Sequence, residues 1–547
     1  MKKILMSIAA SALVLSGMTS CVEDVVPQSG SVTSEQAAAA PGAYNNFVNA
    51  ITSSLAGSFT YSGSSTDPYD FGYPSFFLQR DVMGQDIVCE NSGSEWYTTW
   101  YGANAGLGPT YARCQLPWTY YYGWIKNCNT VLSLAGDEPS KDQIDGAGIA
   151  YAMRAMFYMD LARMFAPETY ASNPEAETVP IITEKTTGDE ATNNPRATNK
   201  DMWAFILSDL DKAEKYLANY KRPDKYTPDL SVVYGLKARA YLTMEDWKNA
   251  EDYAVKAQAS YETMNADQLL NKQTGFNTPN GSWMFGLTYL PTDPNITAND
   301  ADSSWGSQMI IEVSESGCGY SANYVGPKRI DAHLFSTIPA TDCRRMWWID
   351  PALDELETMP ELVEALSAYS DSPEGLANTG LTVSAQGTVG YMPVKFRPKD
   401  GEHADQYKAF TVAVPLMRVE EMRLIEAEAA GMQNLEKGKT ILKKFAETRD
   451  PQYKYDDMAS FRDQVWWQRR IELWGEGFAT FDMKRLNKGI VRSYAGTNHP
   501  EGYRWNSESV PQWMHLCIVQ TETNYNTACT NNPTPVAPTE DSPEYNW

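Results

Sequence analysis

Across 547 residues the chain carries 45 Lys and Arg against 69 Asp and Glu, a formal charge of −24, with 43% hydrophobic and 21% charged residues. That surplus of acid lacks the phosphate-neutralising footprint of a nucleic-acid binder and argues against such a partner, while the apolar fraction suffices for a large core. The 16 Trp and 32 Tyr point to a surface or cleft lined by rings.

Met1-Lys2-Lys3 is a basic leader, residues 4–15 form an apolar run too short to span a bilayer, and Met18-Thr19-Ser20 sets small residues before Cys21. This pattern resembles a bacterial lipobox. It predicts a signal peptide over 1–20, lipid on Cys21 (palmitate among its acyl chains), and a tether over 21–40 that lifts a single body, 41–547, off the outer membrane. Glu23 and Asp24, directly after Cys21, resemble a surface-export signal and place that body outside the cell.

Helical periodicity dominates the body. Met153, Phe157, Leu161 and Met164 recur at helical spacing over 152–165, and Pro167 ends that helix. Asn199 reads as an N-cap before Met202, Phe205, Ile206 and Leu210, and Ser231 as the start of the next helix. Ala238, Ala240, Trp247, Ala250, Tyr253 and Ala257 resemble a tetratricopeptide hinge, with small residues for close approach and an aromatic plug. A second such pattern, with Leu435 as plug, covers 427–441. Helical repeats are therefore expected mainly over 115–270 and 412–490. Residues 57–105 and 276–400 lack that period and read as loop-rich, with one strand-like run at 309–313. The tail after Cys529 reads as peripheral.

Catalytic signatures are absent. Gly438-Lys439-Thr440 has Gln433 where a phosphate loop needs glycine, Gly317-x-Gly319 is followed by Pro327 where a helix should begin, and neither a zinc-protease helix nor a nucleophile elbow occurs. Eight cysteines without a C-x-x-C pair give no metal framework, and a disulfide such as Cys114 with Cys128 is compatible with an oxidising compartment. Asn299-Asp300-Ala301-Asp302 could hold calcium or be a solvated acidic loop; no other cofactor is indicated.

The run Trp118-x-x-x-Tyr122-x-x-Ile125-x-x-Cys128-Asn129-x-x-Leu132, the helix Arg154-Ala155-x-x-Tyr158-x-x-Leu161-Ala162-Arg163-x-Phe165 with Val179-Pro180-Ile181 behind it, Pro195-Arg196-Ala197, and the block Arg469-Arg470-Ile471-Glu472 through Glu476-Gly477 to Asp482-Met483-Lys484-Arg485 together resemble the RagB/SusD family. Gln468 and Ala479 depart from its usual Glu and Arg. The resemblance implies an all-α, irregular tetratricopeptide-like scaffold with a loop-rich binding region. It also implies no catalysis and a SusC-like TonB-dependent transporter as partner, with the family's Arg and Glu residues pairing between helices. A glycan site needs exposed rings beside hydrogen-bonding groups. From the loops, Trp96, Tyr97, Trp100, Trp283, Tyr289, Trp305 and Tyr320 are the candidate platforms, and Arg80, Asp81 and Asn104 the polar groups. Over 57–104 and 276–327, Asp67, Asp70, Asp81, Asp86, Glu90, Glu95, Asp293, Asp300, Asp302, Glu312 and Glu315 oppose Arg80 alone, which favours a neutral glycan. A peptide receptor on the same scaffold and a surface glycoside hydrolase are the alternative readings.

Overall fold

In the computed structural model, residues 42–58, 67–90 and 95–547 are described; the predicted signal peptide, Cys21 and the tether lie outside them. Residues 47–547 form one compact unit, and the described residues before it open the helix Ala43–Ser53. The fold is mostly helical, with two small two-stranded sheets among the described residues.

Ten helices matter here: α1 (Tyr73–Val82), α2 (Ala112–Ala135), α3 (Ile144–Phe165), α4 (Asn199–Tyr216), α5 (Leu230–Met244), α6 (Trp247–Ala257), α7 (Val419–Gln433), α8 (Leu435–Ala446), α9 (Phe461–Glu472) and α10 (Ala479–Leu486). From α2 to α9 each packs on its successor, the order of a helical-repeat stack. Side chains with an oxygen at the N-cap start half of these helices: Thr198 accepts from the Asp201 amide, Asp229 from Ser231 and Val232, Asp246 from Asn249, Asn434 from Lys437 and Ser460 from Asp463. The starts expected at Asn199 and Ser231 therefore fall one residue early, and α3 begins well before residue 152 because Gly146, Ala147 and Gly148 are buried on it.

Small residues set the hinges, as the repeat pattern requires. Ala238, Ala240, Ala250, Ala254 and Ala257 are buried where α5 meets α6, and half-buried Trp247 carries the Arg462 guanidinium at 5.0 Å. In the second copy a Cβ on Gly438 would lie 2.3 Å from the Gly431 Cα, so α7 and α8 touch backbone to backbone. Its plug is not Leu435, which is exposed, but Phe461 of α9, against which both glycines pack.

The predicted inter-helix pairing of the family's charged residues holds. Arg154 grips Asp209 of α4 through Nε and Nη2 at 2.7 and 2.9 Å and also donates to Asn129 of α2, stapling three successive helices. The Tyr158 hydroxyl donates to the Ile182 carbonyl and accepts from its amide, pinning the chain after Val179-Pro180-Ile181. Arg239 of α5 holds Glu421 of α7 with two 2.7 Å bonds.

That last pair spans an insertion, 258–418, between two helices that nevertheless pack together. Strand β2 (Trp283–Thr288) pairs antiparallel with β4 (Ala413–Arg418) to close it at its base. Strand β1 (Ile87–Val88) pairs with β3 (Arg329–Ile330), joining the two irregular regions. The insertion has its own core of Ile311, Ile349, Leu366, Leu376 and Val389. The expected strand at 309–313 does not form: helix Trp305–Met309 ends there, and the Ile311 and Val313 carbonyls accept from Thr379, Ser316 and Asn323 side chains instead of a neighbouring strand. Nor is 57–105 mere loop. All ten residues of α1 are buried, so its helix has no polar face for a periodicity to reveal. The tail is tied in as well, with Asn532 donating to the Phe165 and Leu516 carbonyls.

Candidate functional site

Most predicted platform rings are core. Tyr97, Trp100, Trp283, Tyr289 and Trp305 have at most 1% of their surface exposed, and a ring without an open face cannot stack on a sugar. Tyr97 packs on Trp100, which packs on Tyr69; Trp305 wedges between Phe77 and Phe396; the Tyr289 hydroxyl donates to the Phe71 carbonyl. Arg80 and Asp81 are equally internal. Arg80 pairs with Asp160 at 3.0 Å, and Asp81 accepts from the Gly477 and Ala479 amides, with burial pushing its carboxyl up to about 7. Asn104 is exposed, in the corner that Tyr503 covers.

Two of the predicted platforms remain at the surface and meet. Trp96 is 41% exposed, and its indole N–H donates to the Tyr320 hydroxyl. Tyr320 in turn lies 5.7 Å from Tyr324, itself 50% exposed, at an interplanar angle of 60°. Trp96 meets buried Tyr69 edge-on at 6.2 Å. None of these contacts is a stacked pair, so the rings keep faces to offer. Tyr324 was missed in the sequence, although its i, i+4 relation to Tyr320 was readable.

The backbone under this patch is irregular. Tyr320–Tyr324 is a π-helical turn, and Asn299, Asp300 and Ala301 are three consecutive non-glycine residues with φ of 52, 54 and 61°. The left-handed conformation costs roughly 1–2 kcal/mol per residue, so tertiary bonds must hold this loop. Exposed Tyr407 donates to Asp300 at 2.9 Å, and Asp302 accepts from the Gly319 amide at 2.8 Å. Burial raises the Asp302 carboxyl to about 6. Stored strain and π-turns concentrate at binding sites. With regard to calcium, no three His, Cys, Asp or Glu side chains converge as a metal ligand set among the described residues.

Charge around the patch differs from the count within the loops. Buried cations from beyond 57–104 and 276–327 neutralise four of the eleven acids: Arg329 holds Glu90, Lys328 holds Glu95, Arg397 holds Glu312 and Arg470 holds Asp86. Lys328 and Arg329 thereby pin both stems of the segment that leads into Trp96. Asp300 and Asp302 remain as the carboxylates beside the rings.

A second aromatic surface is a cleft of about 1840 Å³ whose lining includes Trp466, Trp467, Trp547 and Tyr453. Two of these four rings are covered on a face. His333 stacks on Trp547 at 3.4 Å and 3°, Arg470 and Lys488 sit over Trp466, and the Trp467 indole donates to Thr337.

Residues 78–242, which span α2 to α5, match a SusD-like family model described as starch-binding and associating with outer membrane. Over that stretch the chain is similar to SusD-like proteins. Its fold resembles a SusD-like carbohydrate binding protein from Bacteroides vulgatus, with TM-score 0.68 and 22% identity over 89% of this chain and 97% of that one. A SusD superfamily protein from Bacteroides thetaiotaomicron gives TM-score 0.66 and 19% identity over 92% and 100%. Surface glycan-binding protein A from Bacteroides thetaiotaomicron, solved in complex with laminarihexaose, gives 0.63 and 16% over 89% and 97%. No curated protein matches the chain. Among the described residues, no helix is long and apolar enough to cross a membrane.

Proposed function

We propose that this SusD-like protein is a non-enzymatic glycan receptor, lipid-anchored through Cys21 at the outer face of the outer membrane. It holds a neutral oligosaccharide on Trp96, Tyr320 and Tyr324 and passes it to a SusC-like TonB-dependent transporter. The observation that carries the reading is the unstacked ring surface, set on strained backbone beside Asp300 and Asp302. Flat rings cover the apolar faces of sugars while carboxylates accept from hydroxyls, and two acids without a facing cation disfavour a charged, anionic chain. The laminarihexaose complex of a structural neighbour supports the same class of ligand. Hand-off needs a second protein, because a tethered receptor cannot itself move a large glycan across the membrane.

The test is affinity electrophoresis of the full chain against plant, host and microbial polysaccharides, followed by Trp96→Ala and Tyr324→Ala. Each should weaken binding by about 1–3 kcal/mol, the value of a ring stacked on a flat partner. Retained affinity in both variants defeats the site. Binding to peptide pools instead of glycans would favour the peptide-receptor reading, and release of reducing sugar from a bound glycan would establish a hydrolase.

A further inference from the structure

Cys114, in the first turn of α2, and Cys517, near the end of the chain, lie 403 positions apart in sequence but meet in the core. Both thiols point at one acceptor, the Leu107 carbonyl, at 4.0 and 3.5 Å, and they hydrogen-bond to each other. The partner considered from sequence, Cys128, lies elsewhere, beside Arg154 and Asp209. Next to the meeting pair is an unusual cation. Arg113 is buried and donates to the Thr99 and Trp100 carbonyls at 2.9 and 3.3 Å, to the Met83 sulfur and to the Trp513 carbonyl. No carboxylate pairs with it among the described residues.

A buried guanidinium facing only neutral acceptors favours a nearby anion, and beside it the two sulfurs are the groups that can become anionic, Arg492 being a second cation. The hydrogen bond from Cys114, then Thr534 and Arg113, draw the Cys517 thiol down into the range where thiolate forms, while the same hydrogen bond and burial push Cys114 up. One sulfur is thus set up as the attacking thiolate and the other as the resolving thiol.

We infer that Cys114 and Cys517 form a redox-active dithiol that closes to a disulfide, fastening the C-terminal segment to the first repeat helix when the exported chain folds in an oxidising medium. A low-molecular-weight disulfide such as oxidised glutathione supplies the oxidising equivalents. The Cys517 thiolate forms a bond to one glutathione sulfur, and the S–S bond of glutathione breaks with the electron pair leaving on the other. Cys114 then loses its proton and attacks the Cys517 sulfur, expelling the second glutathione thiolate. Two protein thiols lose two protons and two electrons, and one small disulfide becomes two thiols. Both cysteines are buried in the folded chain, so exchange belongs to the late folding step in which Arg113 and Thr534 already flank Cys517 and the C-terminal segment has yet to cover the pair.

The full chain, refolded with oxidised glutathione and digested without reductant, should yield one cross-linked peptide joining Cys114 to Cys517, with an intact mass lower by two hydrogens. Refolding Cys114→Ser in the same buffer should trap a glutathione adduct on Cys517, whereas Cys517→Ser should leave Cys114 unmodified. Adding reductant should lower the wild-type thermal midpoint and leave both serine variants unmoved. Full alkylation of both cysteines after denaturing the oxidised wild type would overturn the inference. So would a cross-link to another cysteine, or an adduct on Cys114 in Cys517→Ser. If neither serine variant folds, the peptide map of the wild type decides alone.

Discussion

Replacing Glu472 by Gln tests whether the arginine-rich block near the C-terminus is structural or binds ligand. Its carboxylate has no exposed side-chain surface and accepts from Arg449 Nε and Nη2, Arg418 Nη1 and Arg344 Nη1 at 3.0 to 3.2 Å. With Asp342, Glu420 and Glu476 it balances Arg344, Arg418, Arg449 and Lys395, four charges of each sign in one buried cluster. The amide keeps the volume but leaves one buried positive charge uncompensated and turns a donor toward guanidinium groups. Breaking one partner out of a buried ion-pair network costs about 3–5 kcal/mol. Unfolding entropy near 2.1 cal/mol/K per residue, summed over residues 47–547, is about 1 kcal/mol/K, so the thermal midpoint should fall by about 3–5 °C at pH 7. Burial opposes ionisation of Glu472, but Arg449, Arg418 and Arg344 outweigh it and hold the carboxyl well below the ordinary 4.5. A depressed carboxylate contributes stability above its unfolded pKa and loses it as pH falls through the folded one. The difference between wild type and variant should therefore be full at pH 7 and shrink progressively below pH 4.5. Calorimetry across pH 3–8 reads both effects. A midpoint shift under about 1 °C at pH 7, or a gap that widens in acid, would refute the reasoning, and normal stability with lost glycan binding would reassign the block to the site.

Trp283→Ala and Trp305→Ala should each destabilise the fold by about 3–5 kcal/mol, read by urea titration, because both rings are core rather than platforms. Trp466→Ala, in the wide cleft, should leave glycan affinity in affinity electrophoresis unchanged where Trp96→Ala weakens it. Asp302→Asn should raise the thermal midpoint above pH 6 and leave it unchanged below pH 4: a carboxyl raised to about 6 by burial favours folding only while protonated, and the amide retains the Gly319 bond. Cys21→Ala should release the protein from the membrane fraction of cells, and mild-detergent extraction of the native chain should co-purify one TonB-dependent barrel.

The helical scaffold was legible because its residues obey local rules. Period, caps and small-residue hinges recur within single helices, and the charged motif residues sit where α3, α5 and α9 must be stapled to neighbours. Gln468, which departs from the family pattern, shows how such a network tolerates change: its side-chain oxygen still accepts from Arg344 at 2.8 Å, so the acceptor survives without the charge. The site was legible only as a region. A ring in a loop-like stretch gives the same sequence signal whether it fills a core or faces solvent, and α1, buried on every side, removed the polar period that would have marked 57–105 as core.

What separates Trp96 from Trp100 is tertiary. Trp100 follows Trp96 by four residues, and the short helix Thr98–Gly102 that carries Trp100 turns its ring inward against Tyr69 while Trp96, ahead of the helix, stays at the surface. The decisive contacts come from far along the chain. Lys328 fixes Glu95, the residue before Trp96, and the π-turn at Tyr320–Tyr324 lies just ahead of that lysine. All three rings of the patch are thus positioned by the one stretch 320–329, whose Arg329 is paired to β1 through β3 and to Glu90. Removing the Lys328 charge should loosen Trp96 without altering a ring of the patch, the one ring under the ammonium being buried Tyr97 at 5.2 Å. Lys328→Met should therefore weaken glycan binding while the far-ultraviolet spectrum of the helical stack stays unchanged. Undiminished affinity in that variant would mean that Trp96 needs no such support, or that it does not bear the ligand.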